Sequence, residues 1–221
     1  MCGIAGILKF DRHGEVQERR LQAMRDSLVH RGPDDAGLMV QGRIGLAHRR
    51  LSIIDLAGGH QPMSDPEQKL WICYNGELYN YRALREDLRA KGCEFTTQSD
   101  TEVVLRAFEV FGEDCVEHLR GMFAFAIWDE TRASFFLARD RFGIKPLYYT
   151  LDSKRFAFAS ELKGIVGAGG VRPSPDSRSM IDFFVYRYVP SPRTIWSGIA
   201  KLPPAHFLEV DGIGNLRLRR W

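Results

Sequence analysis

Residues 121–160 constrain the fold more than any other stretch. Phe123, Phe125 and Ile127 alternate with Ala124, Ala126 and Trp128, so both faces of this segment are apolar. A strand of that composition belongs in a sheet covered on each side. Strands are expected at 122–129, 134–139, 146–150 and 155–160, separated by turn-like Asp, Arg and Gly residues.

The chain before this stretch alternates strands with helices. A first strand is expected at roughly 2–10, then a helix from 16 to about 29 with Val16, Leu21, Met24 and Leu28 on one face. Short β segments follow at 37–41 and 43–54, then a loop rich in Gly, Pro and Asp at 55–69. The apolar run Leu70-Trp71-Ile72-Cys73-Tyr74 has strand length and stops at Asn75-Gly76, a pair that usually marks a tight turn. Helices are expected at 80–92, capped by Asn80, and from 101 to Gly112, capped by Asp100. Two more are expected at 161–166 and 175–188, the second carrying Met180, Phe183, Phe184 and Tyr188. This order suits an α+β chain with helical layers outside two sheets. Over the last thirty residues, Pro190, Pro192, Pro203 and Pro204 are expected to break any regular element, and Trp221 has nothing after it to bury it.

Composition narrows the function classes. A chain of 221 residues fits one large domain, or one domain and the start of a second. Net charge is +3, with arginine spread along the chain except at Arg217-Leu218-Arg219-Arg220, which gives no electrostatic footprint for nucleic acid. No apolar run approaches the roughly 18–20 residues that span a bilayer, and the N-terminus lacks a secretory pattern, so the expectation is cytoplasmic. Cys2, Cys73, Cys93 and Cys115 show no C-x-x-C pairing, and the six histidines no i, i+4 pair on a helix, so no metal site is expected. The glycines from Gly164 to Gly170 lack the Lys-Ser/Thr of a phosphate loop. Asp140-Arg141-Phe142-Gly143 lacks the other motifs of a kinase.

Cys2 is the residue with chemistry to offer. Removal of Met1 would place a thiol and a free α-amine on one residue, and an α-amine titrates at about 7.7–8.0 against about 10.4 for lysine. Such an amine can take the thiol proton and later hand it to a leaving amine. The alternative is a small buried hydrophobe at an accidental position. Amide hydrolysis needs an oxyanion hole, and Asn75 with Gly76 could supply a side-chain amide and a backbone N–H. An amino-acid substrate would need a cation for its carboxylate, which Arg50 suits, and anions for its ammonium, which Glu77 and Asp100 suit. Each of these residues also has a cap, turn or surface-charge explanation.

Several blocks carry a resemblance to a known family. They are Met1-Cys2-Gly3-Ile4-Ala5-Gly6, Arg31-Gly32-Pro33-Asp34, His48-Arg49-Arg50-Leu51-Ser52-Ile53, Tyr74-Asn75-Gly76-Glu77-Leu78-Tyr79-Asn80, Ser99-Asp100-Thr101-Glu102 and 138–149, which contains Asp140 and Lys145. Together they closely resemble, in order and over nearly the whole chain, the glutaminase domain of glutamine-hydrolysing asparagine synthetase. That is a class II, or N-terminal nucleophile, glutamine amidotransferase domain. The resemblance implies a four-layer αββα sandwich of two antiparallel sheets between helices, and hydrolysis of glutamine to glutamate and ammonia through a γ-glutamyl thioester. It implies that Cys2 is the nucleophile and its amine the base, that Asn75 and Gly76 form the oxyanion hole, and that Arg50 holds the glutamine carboxylate. Glu77 and Asp100 would hold the ammonium. Leu51, Ile53 and Ile54 would line the pocket or the mouth of an ammonia tunnel. Activity then presupposes loss of Met1.

The departures from the family matter too. Its ATP-dependent second domain, with a Ser-Gly-Gly-x-Asp-Ser loop, is absent from these residues, so no cofactor is expected in this chain and ATP and magnesium are expected only in that domain. Ala205 stands in Leu202-Pro203-Pro204-Ala205-His206 where glycine is usual. The amidotransferase domain is expected at 1–195, with 196–221 as a connecting segment toward the synthetase domain. The expected partners are glutamine and a synthetase domain or subunit that receives ammonia, with a homodimer left open; no nucleic acid or membrane is expected. Relatives acting on another carboxylate, or a non-catalytic glutamine-binding module, are the alternatives.

Overall fold

The computed structural model describes residues 1–52, 55, 58–167, 169 and 173–221. Its strands are β1 (Gly3–Lys9), β2 (Asp35–Gln41), β3 (Ile44–Arg50), β4 (Met63–Ser64), β5 (Leu70–Leu78), β6 (Gly121–Asp129), β7 (Ser134–Arg139), β8 (Tyr148–Leu151), β9 (Arg155–Ala159), β10 (Ile199–Lys201), β11 (His206–Asp211) and β12 (Leu216–Arg220). Helices α1 (Glu18–Asp26), α2 (Tyr81–Ala90), α3 (Asp100–Phe111), α4 (Cys115–His118), α5 (Leu162–Gly167) and α6 (Ser177–Tyr186) lie between them.

The strands form two six-stranded sheets, ordered β10-β8-β9-β1-β3-β2 and β12-β11-β7-β6-β5-β4. All their pairings are antiparallel. Alternation along the strands builds three apolar layers. Ile4, Leu8, Leu46, Ala126, Trp128 and Phe158 meet between the sheets. Ala5, Ile7 and Ala47 turn outward onto Leu21, Met24 and Leu28. Ile72, Phe125 and Ile127 turn the other way onto Leu84, Leu88, Val104 and Phe108. The doubly apolar β6 therefore sits in an αββα sandwich. Each fully buried Leu or Phe contributes roughly 2–3 kcal/mol, and the period-2 pattern specifies which face each joins.

Several expectations are corrected. Asn75-Gly76 is not a turn, because β5 continues to Leu78 in unbroken register with β6, Leu78 facing Gly121. Asp100 does not cap α3; Ser99 does, its side chain accepting from the Thr101 N–H at 3.1 Å. Asn80 stands at the start of α2 but makes no cap bond: its side chain donates to His118 O and accepts from Arg120 N–H, tying α2 to the turn before β6. The prolines near the C-terminus fall between strands and do not break them. Residues 196–221 supply β10 to one sheet and β11 and β12 to the other. Trp221 is half-buried, stacked on Phe123 at 6.0 Å with the Arg141 guanidinium 4.4 Å from its ring. Ala205 has φ +55°, a left-handed conformation that costs a non-glycine residue roughly 1–2 kcal/mol and accounts for the usual glycine there. Helix α6 differs from the others: its Met180, Phe183 and Phe184 are exposed, as is Tyr188 just beyond it.

Candidate active site

A cavity of about 170 Å³ is lined by the chain before β1, the end of β3, β5 and the start of α3. Of the nine residues singled out from sequence, Cys2, Arg50, Leu51, Asn75, Gly76, Glu77 and Asp100 line it. Ile53 and Ile54 lie outside the described residues.

Cys2 precedes β1, whose alternation sends Ile4 and Leu8 into the space between the sheets. The Cys2 sulfur accepts the Leu51 N–H at 3.4 Å and faces Leu51 O at 3.7 Å. Its carbonyl accepts Arg31 Nε at 2.9 Å, and Arg31 Nη1 donates to Glu161 at 3.0 Å, so a half-buried ion pair fixes the backbone that carries the thiol. Burial pushes the Cys2 thiol above its ordinary value, opposed by the Leu51 N–H and by the positive charges of the terminal amine, Arg50 and Lys145. Burial lowers the terminal amine, with Arg31 and Lys145 adding to the effect against the opposing pull of Cys2. That amine belongs to Met1 here, so the Cys2 nitrogen becomes basic only when Met1 is removed.

The second sheet contributes β5. Asn75 is 1% exposed, and its Nδ2 has no hydrogen-bond partner although it lines the cavity. A buried donor left unpaired costs about 1–3 kcal/mol, which a bound acceptor would recover. N–H groups two residues apart on a strand point to the same edge. Tyr74 N–H donates to Gln61 Oε1 at 2.6 Å and Leu78 N–H to Asp100 Oδ2 at 3.0 Å, so the Gly76 N–H between them aims at that edge and into the cavity. Glycine is required at 76, because a Cβ would lie 2.6 Å from Met122 O.

Across the cavity, Arg50 ends β3 and donates through Nη2 to Asp55 O at 2.5 Å. Gly59 makes room for it: a Cβ there would come within 2.1 Å of Nη2. Burial raises the Asp100 carboxyl above the usual range, opposed by the Leu78 N–H. The Tyr74 hydroxyl beside it is buried without a well-aligned partner. Arg50 and the carboxylates of Glu77 and Asp100 line the same cavity. The arrangement matches an α-amino acid at one end and offers a thiol with two N–H donors at the other.

Sequence reasoning missed four cavity or support residues. Lys145 and His48 stood inside the family blocks without an assigned role. Lys145 lines the cavity, and His48 Nε2 lies 3.2 Å from Tyr74 O, joining the two sheets behind it. Arg31 was equally visible. Gln61 had no local signal, since its partners Tyr74 and Thr101 are distant in sequence. Among the described residues, no group of His, Cys, Asp and Glu could hold a metal ion, and no helix is long and apolar enough to cross a membrane.

The family model described as "Glutamine amidotransferase domain" matches residues 1–221. The chain is 40% identical to asparagine synthetase [glutamine-hydrolyzing] 3 and 39% identical to asparagine synthetase [glutamine-hydrolyzing] 1, both of Bacillus subtilis (strain 168). In each case all of this chain aligns with 36% and 35% of the relative, so it spans about a third of their length. It is 36% identical to "Amidase chry2" of Gibberella zeae, over 94% of this chain and 32% of that protein. Among solved structures, glutamine phosphoribosylpyrophosphate amidotransferase from B. subtilis superposes with a TM-score of 0.71 at 20% identity, covering 99% of this chain and 49% of that one. This similarity supports the sandwich fold alone. On the family match and the relatives at about 40% identity, the chain belongs to the glutamine amidotransferase domain family.

Proposed function

We propose that this chain, once Met1 is removed, hydrolyses glutamine to glutamate and ammonia through a thioester on Cys2. The observation that carries the reading is the buried, unpaired Asn75 Nδ2 facing the same cavity as the Cys2 thiol and the Gly76 N–H. The Cys2 amine takes the thiol proton and the sulfur attacks the glutamine carboxamide carbon. Asn75 Nδ2 and the Gly76 N–H stabilise the tetrahedral oxyanion. The ammonium of Cys2 gives its proton to the leaving nitrogen, and ammonia departs. Water then adds to the thioester, its proton passing to the amine and on to the sulfur, and glutamate is released. Arg50 holds the substrate carboxylate; Glu77 and Asp100 hold its ammonium.

The ammonia is passed to a synthetase domain or subunit outside these 221 residues, where an ATP- and magnesium-dependent step amidates aspartate to asparagine; the names of the relatives support this acceptor. The similarity to an amidase of another name favours a second reading, amidation of a different carboxylate. A cytoplasmic location follows from an amino-acid biosynthetic role, and a homodimer remains compatible with it.

The test is glutamate release from glutamine by the full chain with its N-terminal mass recorded. Processed protein should turn over and Cys2→Ala should lose activity by about a thousandfold or more. Equal turnover in both would overturn the thiol mechanism.

A further inference from the structure

Lys145 is a charged group without a task in the mechanism above. It is 5% exposed and lines the cavity, and among the described residues its ammonium makes no hydrogen bond or ion pair. Its backbone is held from both sides. Asp140, 1% exposed, accepts the N–H groups of Phe123, Phe142, Ile144 and Lys145 at 3.0–3.2 Å. Arg139 donates through Nε to Lys145 O and through Nη2 to Gly143 O, each at 2.7 Å, and through Nη1 to Leu202 O at 2.6 Å. Most of the loop from 140 to 145 therefore has its amides hydrogen-bonded, with the carbonyls of Asp140, Gly143 and Lys145 bonded too, and its one cavity-facing side chain is presented by a fixed frame. Asp140-Arg141-Phe142-Gly143, a false kinase motif in sequence, is the base of that frame.

Substrate binding leaves Lys145 without a role. A glutamine zwitterion brings one carboxylate, which Arg50 answers, and one ammonium, which Glu77 and Asp100 answer. The Lys145 ammonium, without a hydrogen bond or ion pair among the described residues, lines the same cavity as the Cys2 thiol. We propose that Lys145 is a positioning residue whose ammonium stabilises negative charge on the Cys2 sulfur, holding the nucleophile ready ahead of substrate. This rests on the reading of Cys2 as the nucleophile.

Other charged groups also lie near the sulfur. The terminal amine accompanies Cys2, Arg50 from β3 also favours a thiolate while it is engaged on Asp55 O, and Arg31 and Asp34 come from the segment between α1 and β2. Glu77 on β5 and Asp100 at the start of α3 are acidic and offer a thiolate no stabilisation, and burial keeps Tyr74 on β5 neutral. Burial lowers the Lys145 ammonium, as does Arg31, while Cys2, Asp140 and Glu77 pull it back up. Cys2 and Lys145 thus favour each other's charged forms.

The test measures iodoacetamide alkylation of processed full-length chain from pH 6 to 10, resolved by peptide mass so that Cys93 is not counted. Lys145→Met should move the alkylation midpoint of Cys2 upward by about half a pH unit or more, slowing labelling at neutral pH about threefold. Lys145→Arg should restore it, and the pH profile of kcat/KM for glutamine should move in parallel. An unchanged midpoint in folded Lys145→Met would overturn the proposal, as would an equal shift in Lys145→Arg. If Lys145→Met does not fold, Lys145→Gln provides the same contrast. Glutamate release with no Lys145 effect leaves the glutaminase reading standing and removes this one. A Lys145-dependent midpoint without glutamate release does the reverse.

Discussion

The two ends of the cavity are built on opposite terms. At the amino-acid end the substrate-binding Arg50 and Asp100 are engaged within the protein, Arg50 on Asp55 O and Asp100 on the Leu78 N–H. At the thiol end, Asn75 Nδ2 is buried without a partner and Lys145 makes no ion pair among the described residues. The difference teaches where binding and catalysis are separated. Engaged groups hold their geometry whether or not substrate is present and interact with ground state and transition state alike. Unengaged donors gain most where charge develops, which is in the oxyanion.

The largest expected effect breaks this comparison if it fails. Asn75→Ala should lower kcat for glutamine by about a hundred- to a thousandfold with little change in KM, because only the transition state carries the full oxyanion. Arg50→Ala should do the converse, raising KM more than it lowers kcat. If steady-state kinetics show Asn75→Ala acting on KM alone, the thiol end is a binding site like the other.

A smaller effect sharpens the comparison by testing the strut between its two sides. His48 on β3 reaches Tyr74 O on β5, and burial lowers its pKa to about 4 from an ordinary 6.5. The unfolded chain therefore binds a proton that the native imidazole refuses between these values. Stability should fall as pH drops from 6.5 toward 4, by about 3 kcal/mol in all, and be level above 6.5 with respect to this group. In His48→Gln the contribution should vanish, leaving a flatter acid limb in urea melts between pH 4 and 7. An identical limb in both proteins would remove His48 from the acid response.

How much of this was legible in sequence follows from the range of the interactions. Strand periodicity placed β6 and β7 within a residue or so because Phe123, Phe125 and Ile127 alternate locally. The αββα arrangement came from the family blocks; periodicity supplied only the layers. The strand through Asn75-Gly76 was read as stopping, since local turn preference cannot see β6 pairing across it. Asp100 looked like a cap because the Ser99 cap and the Leu78 partner are decided by tertiary contact. The C-terminal strands were hidden for the same reason: Phe207 and Leu208 find their ladder on β7, far back in the chain. Lys145 lay in plain view, but its task becomes visible only beside Cys2, Arg50 and the two carboxylates.

The most direct measurement uses a glutamine analogue with a diazoketone in place of the carboxamide, incubated with processed chain and followed by peptide mass. The expected result is one covalent adduct, at Cys2, slowed by excess glutamine and strongly slowed in Arg50→Ala, so that one experiment reads both ends of the cavity. Labelling at Cys93 in place of Cys2, or labelling at Cys2 that glutamine does not slow, would contradict the account.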